Sequence, residues 1–171
     1  RRAAAVHPIV DLQIEYSLMS RGIEQEILPT VRELGIGVTA YGVLSRGLLS
    51  GSQASSGGGF DFRAMAPRFQ GENLARNRAL AEALHKVAAS KGMTASQAAI
   101  AWVAAQGADI VPLIGARKRH QLAESLKALE FSLTPEDLAT IEAAVPADSV
   151  AGGRYPEAQL THLDSERSHT G

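Results

Sequence analysis

Three short apolar runs, Ile9–Ile14, Ile36–Ala40 and Ile110–Ile114, each lead into helical periodicity, and this alternation limits the possible folds more than any other feature. After the first run, Ile27, Leu28, Val31 and Leu34 mark the apolar stripe of a helix over 23–34. Gly35 closes that helix where a left-handed residue is needed, and the second run follows at once. Strand, helix and strand within about thirty residues is the size of a βαβ crossover. The third run stops at Gly115, and Leu122, Leu126 and Leu129 continue at helical spacing. Two further helices precede it. One runs from Glu72 to about Lys91 with Leu80, Leu84 and Val87 inward; the other is Ala95–Ala105, opened by the capping box Thr94…Gln97. Thr134 followed by Pro135 starts a last helix, ending near Val145. The pattern predicts a parallel α/β architecture of three strand–helix units.

Unusual chemistry gathers at the C-terminal ends of the three strands. The first ends in Gln13, Glu15 and Tyr16, the second in Tyr41 and a glycine-rich loop, the third in Gly115 and the cations Arg117, Lys118, Arg119 and His120. Helix N-termini carry partial positive charge and favour acidic residues, so a basic first turn points to an anion held there. The alternative is a solvated basic loop. Clustering at strand C-termini is the signature of the active face of a (β/α)8 barrel, whose phosphate sites tend to follow the last two strands. Such a barrel needs about 250 residues, and the 171 here supply three units, those of strands six to eight, and leave the barrel incomplete. Opening on Arg1 with a helix-tail pattern, the chain reads as part of a longer one.

Composition excludes several classes. A net charge of −1 gives no basic field for nucleic acid, and the apolar runs are too short to span a membrane. Cysteine is absent, and no secretory signal opens the chain, which together fit a cytoplasmic protein. No histidine has a ligand partner at a metal-binding interval. The long aperiodic loop from Gly42 to Gly71 predicts a mobile tip over 52–59 between ordered flanks, and Pro146–Gly171 reads as a polar surface tail beyond a 1–145 barrel portion.

Several motifs, in order and at matching spacings, resemble the aldo-keto reductases, in particular their bacterial, plant and fungal branch. Val10-Asp11-Leu12-Gln13-Ile14-Glu15-Tyr16-Ser17 is similar to that family's sixth strand. The stretch from Thr39 to Gly51 resembles its seventh strand and pyrophosphate loop, and Pro67-Arg68-Phe69-Gln70-Gly71-Glu72-Asn73 resembles the segment that follows. Leu113-Ile114-Gly115-Ala116-Arg117 through Glu124-Ser125 resembles the eighth strand and coenzyme helix.

The resemblance implies NADP(H) as cofactor and a small carbonyl compound as substrate. It implies that the Gln13 carboxamide pairs with the nicotinamide amide and that Tyr41 stacks on the nicotinamide. Gly42, Val43, Leu44, Arg46, Gly47 and Leu48 would hold the pyrophosphate. Gly115, Ala116, Arg117 and Lys118 would bind the 2′-phosphate, and Gln121, Glu124 and Ser125 share the helix face that meets the adenosine. Ser125 departs from the usual Asn, and Gly42 stands where many members carry Ser. The family's catalytic Asp, Tyr, Lys and His lie on strands and loops that precede Arg1, so the resemblance implies no catalytic acid here. The chain then reads as the coenzyme-binding portion of a reductase, as a non-catalytic NADP-binding regulatory module, or as a truncated product. As a portion it needs its missing N-terminal half, or associates with itself across exposed sheet edges.

Overall fold

The computed structural model describes residues 1–51 and 62–160. Its centre is a parallel three-stranded sheet in the order β1 (Asp11–Glu15), β2 (Gly37–Tyr41), β3 (Ile110–Pro112). Five helices of at least seven residues accompany it: α1 (Ile27–Glu33), α2 (Gly71–Ser90), α3 (Ala95–Ala105), α4 (Arg119–Leu126) and α5 (Pro135–Ala144). Among the described residues, no helix is long and apolar enough to cross a membrane.

Register divides the sheet into two faces. Leu12, Val38 and Ile110 align across the strands, and Val38, Ala40 and Ile110 are buried in a core shared with Ile100, Trp102 and Val103 of α3, Leu84 of α2 and Ile141 of α5. On the other face Gln13, Thr39 and Val111 align, and Val111 is 61% exposed. Each fully buried Leu, Ile or Val on the first face contributes about 1.5–3 kcal/mol of transfer free energy. The second face gains nothing comparable within this chain.

The local signals for helix ends hold. Thr94 accepts from the Gln97 N–H, and the Gln97 carboxamide accepts in return from the Thr94 N–H. Thr134 and Asp137 make the same reciprocal pair at the start of α5. Gly35 and Gly92 take positive φ behind α1 and α2.

Other expectations are corrected. β1 starts at Asp11 because Ile9 and Val10 stand outside the sheet with exposed side chains, although the Val10 carbonyl still accepts from the Gly37 N–H. The helix expected from 23 begins at Ile27. A separate 3-10 turn, Gly22–Glu24, is pinned where Glu24 accepts from Arg21 and Tyr16, and Glu26, at φ −129°, interrupts the path. β3 ends at Pro112, although the Leu113 N–H still donates to the Ala40 carbonyl of β2 at 2.8 Å. Leu122 and Leu126 on α4, and Leu129 on the 3-10 turn Lys127–Glu130 that follows it, are exposed. The stretch after Pro146 is not a surface tail in its described part. Ala151 and Arg154 are buried, and Asn77 in α2 clamps Ala151 through its N–H and its carbonyl. The tip expected over 52–59 lies outside the described residues.

Candidate functional site

The loop after β2 is built from unusual backbone. Gly42 turns at φ +70°, and Ser45 and Arg46 take left-handed conformations at φ +48° and +56° before Gly47 at +89°. Left-handed conformation costs a non-glycine residue roughly 1–2 kcal/mol, so two in succession must be imposed by their surroundings. The surroundings are visible. The buried hydroxyls of Ser45 and Ser17 hydrogen-bond at 3.1 Å, and the Arg46 guanidinium donates to the Arg154 carbonyl at 2.9 Å. That guanidinium also lies 4.6 Å from the centroid of the Tyr155 ring. Within the loop the N–H groups of Ser45, Gly47 and Leu48 bond back to the carbonyls of Gly42, Leu44 and Ser45.

A buried polar relay supports this loop from the end of β1. Glu15 accepts from Arg154 at 2.5 Å and from the Ser20 hydroxyl at 3.1 Å, and Ser20 in turn accepts from Arg68 at 3.0 Å. Arg154, Glu15 and Arg68 are all buried; the Arg154 and Glu15 charges pair directly, and Arg68 donates to the Ser20 hydroxyl and the Gly152 carbonyl. The Glu15 side chain also explains the glycine at position 42. A Cβ there would stand 2.9 Å from the Glu15 Cγ, on a residue whose positive φ already disfavours a side chain.

The loop and the start of α4 face one cleft of about 510 Å³. Of the residues expected from sequence, Gly42, Val43, Leu44, Arg46, Gly47, Gly115, Gln121, Glu124 and Ser125 line it, with His120 of the basic turn, and they are joined by Ser50 and Ser96. Val43 turns its side chain into the core, so its backbone is the part available to the cleft. Leu48 lines an adjoining cleft of about 490 Å³ with Arg78 and His85. Ala116, Arg117 and Lys118 stand exposed at the mouth, and Gln13 is exposed on the open sheet face beside Thr39.

Two expected roles change on inspection. The backbone N–H groups of Arg117 and Lys118 do not await an anion, since the Gln121 Oε1 accepts from them at 3.1 and 3.0 Å. The attraction for an anion therefore falls to the side-chain cations. The Ser125 hydroxyl donates to the Gln121 carbonyl of its own helix at 2.9 Å, which leaves its oxygen as an acceptor. Glu124 is held by the Thr94 hydroxyl at 3.0 Å, and its carbonyl accepts from Gln97, which fixes α4 against the start of α3.

The tyrosines differ from one another. Tyr16 is buried, donates to Glu24 at 2.7 Å and packs 5.4 Å from the Trp102 ring; burial, reinforced by Glu24, pushes its pKa far above the ordinary range. Tyr41 is half-buried at the end of β2, and burial followed by the neighbouring Tyr155 raises its pKa as well. Trp102 is a core residue whose indole N–H donates to Glu142 at 3.1 Å. Asn77, Arg68 and Arg154 carry no local sequence signal, because each is polar and is buried only by distant partners.

The family model for the Aldo/keto reductase family matches residues 1–146. A probable aldo-keto reductase from Glycine max is 44% identical over 156 residues, which are 91% of this chain and 45% of the relative. The solved glycerol dehydrogenase from Gluconobacter oxydans superposes with a TM-score of 0.71 at 32% identity, over 84% of this chain and 45% of that one. An aldo-keto reductase from Bacillus halodurans, solved in its holo form, gives a TM-score of 0.61 at 24% identity over 85% and 46%, a likeness of fold. The chain thus spans under half the length of these relatives, whose likeness implies a (β/α)8 architecture. By the extent of the family match and the identity to its relatives, the chain belongs to the aldo/keto reductase family.

Proposed function

We propose that this chain is the C-terminal, coenzyme-binding portion of an NADPH-dependent aldo-keto reductase acting on an aldehyde or ketone, with β1, β2 and β3 as barrel strands six, seven and eight. The observation that carries the reading is the cleft itself. A strained loop bearing Arg46 and a helix start bearing Arg117 and Lys118 belong to the same cleft and its mouth, and an elongated dinucleotide with a diphosphate and a separate 2′-phosphate has an anion for each. Bound NADPH supplies the hydride for the carbonyl carbon. The chain's own residues bind and orient. Arg46 meets the diphosphate, and Arg117 with Lys118 meets the 2′-phosphate. The Gln13 carboxamide offers a donor and an acceptor to the nicotinamide amide, and the Tyr41 ring gives that nicotinamide a flat wall. Gln121 and Ser125, with their polar groups turned inward, contribute shape to the adenosine side.

Protonation of the carbonyl oxygen belongs to the catalytic groups of a complementary N-terminal portion. Neither described tyrosine with a raised pKa is suited to it, since Tyr16 is sealed against Glu24 and Tyr41 is given to stacking. The open face of Gln13, Thr39 and Val111, and the bare leucine stripe of α4, are the surfaces such a portion would cover. A cytoplasmic setting accords with the absence of cysteine.

Titration of NADPH and NADH by the rise in nicotinamide emission tests the reading. Arg117→Ala should weaken NADPH about 10- to 150-fold, the value of a charge-assisted hydrogen bond of roughly 1.5–3 kcal/mol, and leave NADH nearly unchanged. Equal losses for both coenzymes would reduce Arg117 to a support of the fold. No binding of either by the unaltered chain would refute the proposal.

A further inference from the structure

The segment Ala151–Tyr155 is docked more firmly than its composition requires. Asn77, fully buried, holds Ala151 at 2.7 and 2.9 Å; the Arg68 N–H donates to the Gly153 carbonyl at 3.1 Å; and Arg154 closes the ion pair with Glu15. Gly152, at φ +76°, lies so close to its seat that a Cβ would meet the Asn73 Nδ2 at 2.7 Å and the Arg68 N at 2.9 Å. What this docking delivers is two contacts on one side chain, the Arg154 carbonyl on the Arg46 guanidinium and the Tyr155 ring face beneath it. Arg46 is the left-handed residue of the loop, and its long side chain carries several rotatable bonds that must be fixed before it can serve a ligand. An aromatic face holds a guanidinium in place by cation–π attraction.

We propose that Tyr155 is a positioning residue of the coenzyme site: the docked segment Ala151–Tyr155 presents its ring to hold the Arg46 guanidinium ready for the coenzyme diphosphate. The proposal rests on the coenzyme reading above and adds to it a residue beyond the glycine loop and α4. Because NADPH and NADH share the diphosphate, loss of the ring weakens both equally, unlike loss of Arg117.

The test is the dissociation constant of NADPH and of NADH for the unaltered chain, Tyr155→Phe and Tyr155→Leu, each repeated with Arg46→Met. Tyr155→Leu should weaken both coenzymes about 2- to 30-fold, the range of a cation–π contact. Tyr155→Phe, which keeps the ring but loses the hydroxyl's hydrogen bond with Tyr41, should lose less than Tyr155→Leu does. With Arg46→Met in place, Tyr155→Leu should cost nothing further; a general loss of folded protein would persist there and would overturn the proposal. Gly152→Ala, which lifts the segment, should reproduce the equal loss. Unchanged binding by Tyr155→Leu, or a loss in Tyr155→Phe equal to that in Tyr155→Leu, overturns the proposal alone. Tighter binding by Tyr155→Leu also overturns it, because the ring would then be withholding Arg46. Absence of coenzyme binding by the unaltered chain overturns the proposal and the coenzyme reading together.

Discussion

Asn77 offers the sharpest test of how the segment after Pro146 is held. Its Nδ2 donates to the carbonyls of Arg68 and Ala151 at 3.0 and 2.7 Å, and its Oδ1 accepts from the Ala151 N–H at 2.9 Å, in a place with no solvent exposure. Asn77→Ala strands the N–H and the C=O of buried Ala151, and also takes its partner from the Arg68 carbonyl, which makes the Ala151 pair a lower bound. A buried polar group left without a partner costs about 1–3 kcal/mol, so the pair sets an expected loss of about 2–6 kcal/mol. With a urea slope of about 2 kcal/mol/M, the unfolding midpoint should fall by about 1–3 M. Trp102, the only tryptophan and fully buried, reports the transition by its fluorescence. Asn77→Asp should be worse than Asn77→Ala, because a carboxylate of the same shape still accepts from Ala151 but turns negative oxygen towards two carbonyls. A midpoint for Asn77→Ala within about 0.3 M of the unaltered chain would refute the reasoning, and so would an Asp variant more stable than the Ala one.

Three further outcomes are expected. Asp137 is held down to about 2, chiefly by Lys91 and then by the Thr134 cap, so its share of stability is complete above the unfolded value of 3.8 and lost as pH falls towards 2; thermal melts of Asp137→Asn should lie below those of the unaltered chain at neutral pH and converge with them across that window. The purified chain with NADPH and a reactive aromatic aldehyde should lack the roughly 10²–10⁴-fold contribution of a general acid, and turnover at ordinary enzyme rates would contradict the roles given to Tyr16 and Tyr41. The open sheet edges and the exposed leucines of α4 should make the chain self-associate or capture a complementary barrel portion, which sedimentation would reveal; a clean monomer would count against it.

What could be read from the sequence was whatever has a local cause. Thr94 with Gln97, Thr134 with Pro135, and the glycines at 35 and 92 end or begin helices through contacts a few residues away, and each lies where the pattern placed it. Much of the cleft was legible for a similar reason, since the Gly42–Gly47 loop and Gly115 follow directly from strand ends. The periodicity of Leu122, Leu126 and Leu129 identified a face but not a partner, and the described residues leave all three exposed. Gln121 lines the cleft as expected, but the use of its amide oxygen to cap the helix start carried no signal, because an amide one turn inside a helix can cap its own N-terminus as readily as meet a ligand. Arg154 and Asn77 were missed for a deeper reason. A polar residue in a polar stretch reads as hydrated until its partner is known, and these partners lie 139 and 74 positions away.

That longest pairing has a consequence for biosynthesis. Glu15 emerges from the ribosome with the first strand, whereas Arg154 follows 139 residues later. At about 5–20 residues per second the delay is roughly 7–28 s. Throughout that interval, burying the carboxylate would leave an isolated charge in the interior, so the end of β1 must stay hydrated. The turn at Gly42, which packs against the same side chain, cannot settle until the counter-charge arrives. Assembly of the Gly42 loop is thereby deferred until residue 154 has emerged, and nascent chains that stop short of it are left with an unfinished cleft and an exposed carboxylate.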